Sequence, residues 1–394
     1  EWLMGSLHAN KPYNQLITEL VTARGEISHN PASAWFRNVT DQKERLQDTA
    51  QVLLGVRLQC AECHHHPYEK WSQQDYYGFS AFFSRVGKKK TDVPGEEAVF
   101  HNVGLATAKN PKSGENVKPK PLGGEQLTIK PEDDPRLDLA SWMTSESNPF
   151  FAKMLVNRYW KHFFNRAIVE PEDDMRVTNP PTNPDLLDSL ADHFVKSSYD
   201  IKDLIRTICN STTYQLSAIP NDHNAGDRQN YSRYIPKRLT AEVLLDSIDG
   251  ITGSSTAFSG QLAGTRAVSL PDDSYNSSSY FLTVFGRPEM DSACECERAQ
   301  GASLAQTLHL LNSKNIQDKL AGAGGSADKL SAQGDRANED KIVELYKRAF
   351  SREPKDDEMK TAIGYINKKT QQAGEKIKEA NKMAYEDLVW ALLN

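Results

Sequence analysis

The chain has 394 residues, with 47 Lys+Arg against 53 Asp+Glu and a formal net charge of −6. That length allows two or three domains and a sizeable core, and the mild acidity argues against a nucleic-acid partner. No apolar run approaches the length of a membrane span, and a mean hydropathy of −0.63 with 25% charged residues fits a soluble protein.

The sequence opens EWLMGSLHANKPYNQ, with Glu1 rather than Met. It reads as a fragment or a processed product, so the lack of a signal segment says nothing about compartment. Residues 41–59 place Leu46, Ala50, Val52, Leu53, Val56 and Leu58 in an approximate helical stripe. This predicted helix delivers the chain to CAECHHHP at 60–67. An aromatic-rich stretch follows, with Tyr68, Trp71, Tyr76, Tyr77, Phe79, Phe82 and Phe83. Core packing explains such a cluster about as well as a cofactor pocket does.

Residues 87–134 turn rich in Gly, Pro and Lys. Loops are expected there, with short strands at EAVFHNV and EQLTI, and the stretch is the best boundary between two helical regions. Asn148-Pro149 and Asn183-Pro184 then mark helix starts with Pro in the first turn. YDIKDLIRTICNSTTYQL and RLTAEVLLDSIDGITG read as two more amphipathic helices. Residues 253–300 read as irregular, SLAQTLHLLNSKNIQDKL as helical, and AGAGGSADKLSAQGD as a flexible loop. EDKIVELYKRAF and 356–394 close the chain as two helices. The expected fold class is mainly α: a multi-helix array with an irregular, partly β insertion between two helical regions. The expected segments are 1–95, a connector at 96–134, and 135–394.

The five cysteines are Cys60, Cys63, Cys209, Cys294 and Cys296. Cys209 sits beside apolar positions and reads as a buried, inert thiol. Cys60-Ala61-Glu62-Cys63-His64 satisfies C-x-x-C-H, the pattern of covalent haem c attachment. Residues three apart share one face of a helical turn, so both thiols can reach the two vinyl groups of one porphyrin. His64 would then serve as the proximal iron ligand.

A second reading pairs Cys60 and Cys63 with Cys294 and Cys296 around a zinc or iron ion, and a third is a redox or structural thiol pair. His65 reads as a solvated loop residue. His66 is a secondary candidate, for a second metal, a redox pocket or a hydrogen bond to a propionate. A sixth haem ligand would come from elsewhere, with His101, His309 and Met290 as unranked candidates. His162, His193 and His309 are also ordinary helix residues by default. Glu295 and Glu297 flank the C-x-C pair and are secondary candidates with it, in an irregular segment where loops carry chemistry. The acids Glu170, Glu172, Asp173 and Asp174 read as a solvated turn rather than an acid/base or calcium cluster. A Gly-rich phosphate loop and a G-x-S-x-G elbow are both missing from the sequence.

LGVRLQCAECHHHPYEKWSQQDYYGFSAFFSRV resembles the core of the planctomycete cytochrome-C-like domain, second type, a domain of unknown function. NRYWKHFFNRAIVEPEDDMRVTNPPTNPDLLDSLADHFVKSSYDIKDLIRTICNSTTYQLS resembles its usual partner, a second planctomycete domain of unknown function. So do SRYIPKRLTAEVLLDSI, FGRPEMDSACECER and SLAQTLHLLN. The resemblance implies an exported protein, periplasmic or extracellular, with the first domain truncated upstream. His65 departs from the family's more usual C-H-D-H-P. The leading expectation is an extracytoplasmic c-type haem protein that carries electrons, or the redox part of an oxidoreductase, working with a redox partner protein. The alternatives are a structural or binding component of a cell-surface assembly with a cysteine-held metal or disulfides, and a metal-dependent hydrolase using His64, His66 and nearby carboxylates.

Overall fold

The computed structural model describes residues 2–39, 41–276, 279–289 and 301–394. It divides into two compact units, Glu1–Lys237 and Arg238–Asn394. Both are built mainly of helices, so the expected class holds, and among the described residues the strands all lie in the first.

The first unit begins with α1 (Trp2–His8), α2 (Tyr13–Val21), the short strand β1 (Gly25–Glu26), α3 (Trp35–Asn38) and α4 (Gln42–Leu54). A capping box starts α4: the Asp41 carboxylate accepts the Glu44 N–H at 2.8 Å, and the Glu44 carboxylate accepts the Asp41 N–H at 3.3 Å. The apolar stripe predicts a helix running on to residue 59. It ends instead at Leu54, because Gly55 takes the left-handed conformation with φ +68°. Glycine alone accepts that conformation without strain. A Cβ there would also stand 2.9 Å from the Met154 sulfur.

Beyond the motif come α5 (Gln73–Ala81), β2 (Val86–Lys90), β3 (Glu97–His101), β4 (Ala108–Lys109) and β5 (Asn116–Val117). The first three strands form an antiparallel sheet in the order β1-β3-β2, and β4 pairs with β5. The strand expected at EAVFHNV is β3, whereas EQLTI is irregular backbone.

The 96–134 stretch does not lie between separate cores. Val99, Ala108, Val117 and Leu122 belong to the same core as Leu46 and Trp160. Lys120 packs so tightly on α5 that a Cβ on Gly78 would stand 2.6 Å from the Lys120 Cβ. The unit closes with α6 (Pro135–Met143), α7 (Phe151–Phe164), α8 (Pro184–Lys196) and α9 (Ile201–Cys209). The Asn183 carboxamide caps α8 as expected. Asn148 accepts from the N–H groups of Phe150 and Phe151, so α7 begins just past the predicted proline start. α7 packs against α4, α8 and α9 and forms the centre of this unit.

The second unit contains α10 (Ala241–Thr252), α11 (Tyr280–Val284), α12 (Leu304–Asn312), α13 (Lys314–Ala321), α14 (Ser326–Ala332), α15 (Asn338–Phe350), α16 (Asp356–Gln371) and α17 (Ile377–Leu393). Its core gathers Leu245, Ile248, Ile316, Leu345, Tyr385 and Val389. Two expectations change here. AGAGGSADKLSAQGD contains α14, whose Ala327 and Leu330 are buried. SLAQTLHLLNSKNIQDKL breaks into two helices at Ser313, whose hydroxyl caps α13.

Gly55→Ala is expected to destabilise the protein by about 1–3 kcal/mol, from the left-handed backbone and the close sulfur. Urea denaturation reads this as a lower midpoint at an unchanged slope, and an unaltered midpoint would contradict it.

Candidate functional site

The turn between α4 and α5 is held from beneath. Val56 and Leu58 are buried, and a 3-10 turn then covers Gln59–Glu62. Ala61 is fully buried, whereas Cys60 and Cys63 are exposed. In a 3-10 turn, side chains three apart are eclipsed, so with Ala61 turned inward both thiols face solvent. Neither is in a disulfide. Two side chains of α5 fix the turn, since Gln73 Nε2 and Tyr77 Oη donate to the Glu62 carbonyl at 3.0 and 3.2 Å. The Glu62 carboxylate pairs with Lys43 and accepts from Tyr76 Oη at 3.3 Å. The His66 N–H donates to the Trp71 carbonyl at 2.9 Å and closes the loop, with Trp71 buried under it.

α5 in turn starts on a capping box. The Ser72 hydroxyl accepts the Asp75 N–H at 3.2 Å, and the Asp75 carboxylate accepts the Ser72 N–H at 2.8 Å. Burial raises the Asp75 pKa, but the hydrogen bonds from Lys120 and Ser72 outweigh it and hold the carboxyl below its usual range.

The histidines of the motif are not equivalent. His64 Nδ1 lies 2.7 Å from the His65 carbonyl. A carbonyl only accepts, so Nδ1 carries a proton, and in the neutral ring Nε2 keeps its lone pair. His66 is the reverse: its Nδ1 accepts the Tyr68 N–H at 3.2 Å, which leaves the proton on Nε2. In their neutral forms His64 thus offers an acceptor at Nε2 and His66 a donor there. His65 is exposed, as expected.

The aromatic residues after the motif divide. Trp71, Tyr76, Tyr77, Phe79, Phe82 and Phe83 are core, and Tyr68 alone stays out, 63% exposed. A group attached at the thiols therefore meets the outer side of the turn, not the inside of this cluster.

The 170–174 acids are the clearest correction to the sequence reading. Glu172, Asp173 and Asp174 are 3%, 2% and 7% exposed. The sequence predicts a solvated turn, and burying carboxylates carries a large desolvation cost. Here paired cations offset it. Lys161 pairs with Glu172 at 2.5 Å and Glu170 at 3.2 Å, Arg176 pairs with Asp174 at 3.2 Å, and Arg57 pairs with Asp173. Gln51 also donates to Asp173, at 2.5 Å, and accepts from Gln59 at 3.0 Å. This loop therefore buttresses the segment that leads into the motif. The Gly55 carbonyl also accepts the Met175 N–H at 2.8 Å.

Other candidates are dispersed. His101 is buried in β3, with Asp134 Oδ1 at 3.9 Å. His309 packs among Tyr280, Phe281 and Phe285, and burial lowers its pKa. His193 is half-exposed and pairs with Asp203 at 2.7 Å, and His162 packs edge-on to Phe163. Cys209 is partly buried, which pushes its thiol up. Met290, Cys294, Glu295, Cys296 and Glu297 lie outside the described residues. Among the described residues, no three His, Cys, Asp or Glu side chains form a group able to hold a metal ion.

Residues 1–88 match the family PSCyt2, a protein of unknown function (DUF1549), and residues 135–366 match PSD1, a protein of unknown function (DUF1553). The chain belongs to the PSD1 family. PSCyt2 followed by PSD1 is the domain pair read from the sequence. No curated protein and no solved structure matches. The PSD1 segment starts at the first residue of α6 and runs past the division between the two compact units. The family matches end at residue 88 and resume at 135, while packing divides the chain after Lys237. Thr178 and Val177 of the PSD1 segment bind Tyr68 and Glu69 of the PSCyt2 loop, so the motif's surroundings draw on both families.

The sequence offered a signal for the support that was missed: Ser72-x-x-Asp75 is a capping box, which marks where α5 starts and so which side chains face back toward the turn. No comparable signal announced Asp173, because its partners lie more than a hundred residues away.

Two outcomes follow. Asp173→Ala removes one side of a buried pair and is expected to cost about 3–5 kcal/mol in urea denaturation; a loss under about 1 kcal/mol would contradict the pairing. Asp75 contributes stability that is fully present above its unfolded pKa and is lost as pH falls through its lower folded value. Asp75→Asn should therefore be less stable than wild type near pH 7 and converge on it in acid. A deficit that stays constant with pH would contradict this.

Proposed function

We propose that this chain is a c-type haem protein, in which Cys60 and Cys63 would hold the haem covalently and His64 would ligate its iron. The observation that carries the reading is the arrangement of that turn: two free, exposed thiols three residues apart, next to a histidine whose Nε2 lone pair is free. The donor set fits the group. Each thiol can add across a vinyl group, forming one C–S bond and passing its hydrogen to the neighbouring carbon, with no outside oxidant. The His65 carbonyl fixes the tautomer of His64. Gln73 and Tyr77 keep the turn from relaxing. Bound haem supplies one-electron transfer.

In this reading the protein works outside the cytoplasm and exchanges electrons with a partner protein. No helix among the described residues is long and apolar enough to cross a membrane. The hydrolase reading gains no support from the described side chains. The four-thiolate reading depends on Cys294 and Cys296.

The chain is to be produced with a c-type haem maturation system. It should show a Soret band, a pyridine haemochrome typical of thioether-linked haem, and the added mass of one haem. Cys60→Ser with Cys63→Ser should abolish the covalent mass, and His64→Ala should change the iron's spin and ligation state. Wild-type protein of unmodified mass without a Soret band would overturn the reading.

A further inference from the structure

Four residues beyond His64, Tyr68 begins an exposed surface of apolar and cationic side chains. Tyr68 and Val177 are 63% and 77% exposed. They come from different parts of the chain but are locked together. The Val177 N–H donates to the Glu69 carboxylate, and Thr178 Oγ1 donates to the Tyr68 carbonyl at 3.2 Å. The Arg176 guanidinium carbon stands 5.9 Å from the Tyr68 ring centre. Arg176 Nη2 is held by Asp174 at 3.2 Å, while its Nε is buried without a hydrogen-bond partner. His66, whose Nδ1 is occupied by the Tyr68 N–H, carries its proton on Nε2. Apolar side chains fixed in solvent beside a cation and an N–H donor suit a flat apolar ring with anionic substituents.

We propose that Tyr68 and Val177 form the shelf on which the ring attached at Cys60 and Cys63 lies, with Arg176 and His66 facing its carboxylates. The proposal rests on the haem reading above and adds the residues that orient the group. It also gives the PSD1 segment a part in the PSCyt2 site, since Arg176 and Val177 belong to PSD1. The shelf explains why Tyr68 stays outside the core that takes up the other aromatics of its stretch.

The test is a charge swap at Val177 in the haem-loaded chain. Its high exposure lets both variants fold, which circular dichroism checks. Val177→Lys should raise the midpoint reduction potential and Val177→Glu should lower it, because nearby positive charge disfavours the oxidised iron. The split should shrink as salt is added. The same swap at Val103, also 70% exposed on this unit, should leave the potential unmoved. Arg176→Lys keeps the charge and should hold the wild-type pH profile of the potential, whereas Arg176→Gln should shift its carboxylate-linked step to higher pH. Potentials that coincide for both Val177 variants, or that shift equally with Val103, would overturn the shelf while leaving attachment intact. A wild-type chain without attached haem would overturn both.

Discussion

The Glu62 carbonyl is the point on which the motif depends. It accepts from Gln73 and Tyr77, both on α5, while Ala61 beside it is sealed in the core. Each such bond contributes on the order of 1 kcal/mol, and together they fix which way the turn faces. With Ala61 inward, Cys60 and Cys63 face out. Released from α5, the same residues would form an ordinary loop with no defined relation between thiols and imidazole. α5 itself is set by its capping box and by Lys120 from the β-containing stretch, which holds Asp75 at 2.8 Å. An insertion that looks like a connector is therefore part of the support.

The second support comes from the buried acids of the 170–174 loop. Burying three carboxylates is costly unless each has a partner. Gln51 of α4 and Arg57, just past its end, reach Asp173 from the segment that leads into the motif. Removing one partner would leave an uncompensated charge in the core, so the loop and the motif approach are tied to the same arrangement. This explains structurally how a segment matched by one family comes to hold a turn matched by the other. The dependence is mutual, since Glu69 and Tyr68 bind the 177–178 backbone and hydroxyl in return.

Local signals in the sequence carried most of the secondary structure. Helix starts with Asn-Pro, the C-x-x-C-H spacing and the amphipathic stripes were all legible, because each is set within a few residues. The misreadings have different physical causes. The helix over 41–59 is overextended because periodicity ignores Gly55, which ends the helix in the left-handed conformation. The acids at 170–174 look solvated in the sequence because Lys161 and Arg57 reach them from outside the loop. His64 and His66 look interchangeable in a string of three histidines. They differ only through the groups that their Nδ1 atoms meet, the His65 carbonyl and the Tyr68 N–H.

That difference is what the proposed haem attachment asks of the turn. Long-range ¹H–¹⁵N correlation spectra of the imidazoles, taken without haem at a pH where both rings are neutral, read the tautomers one by one. His64 should show its proton on Nδ1 and a bare Nε2, and His66 should show the opposite. A His64 protonated on Nε2, or the same tautomer mixture in both rings, would contradict a turn preorganised around His64.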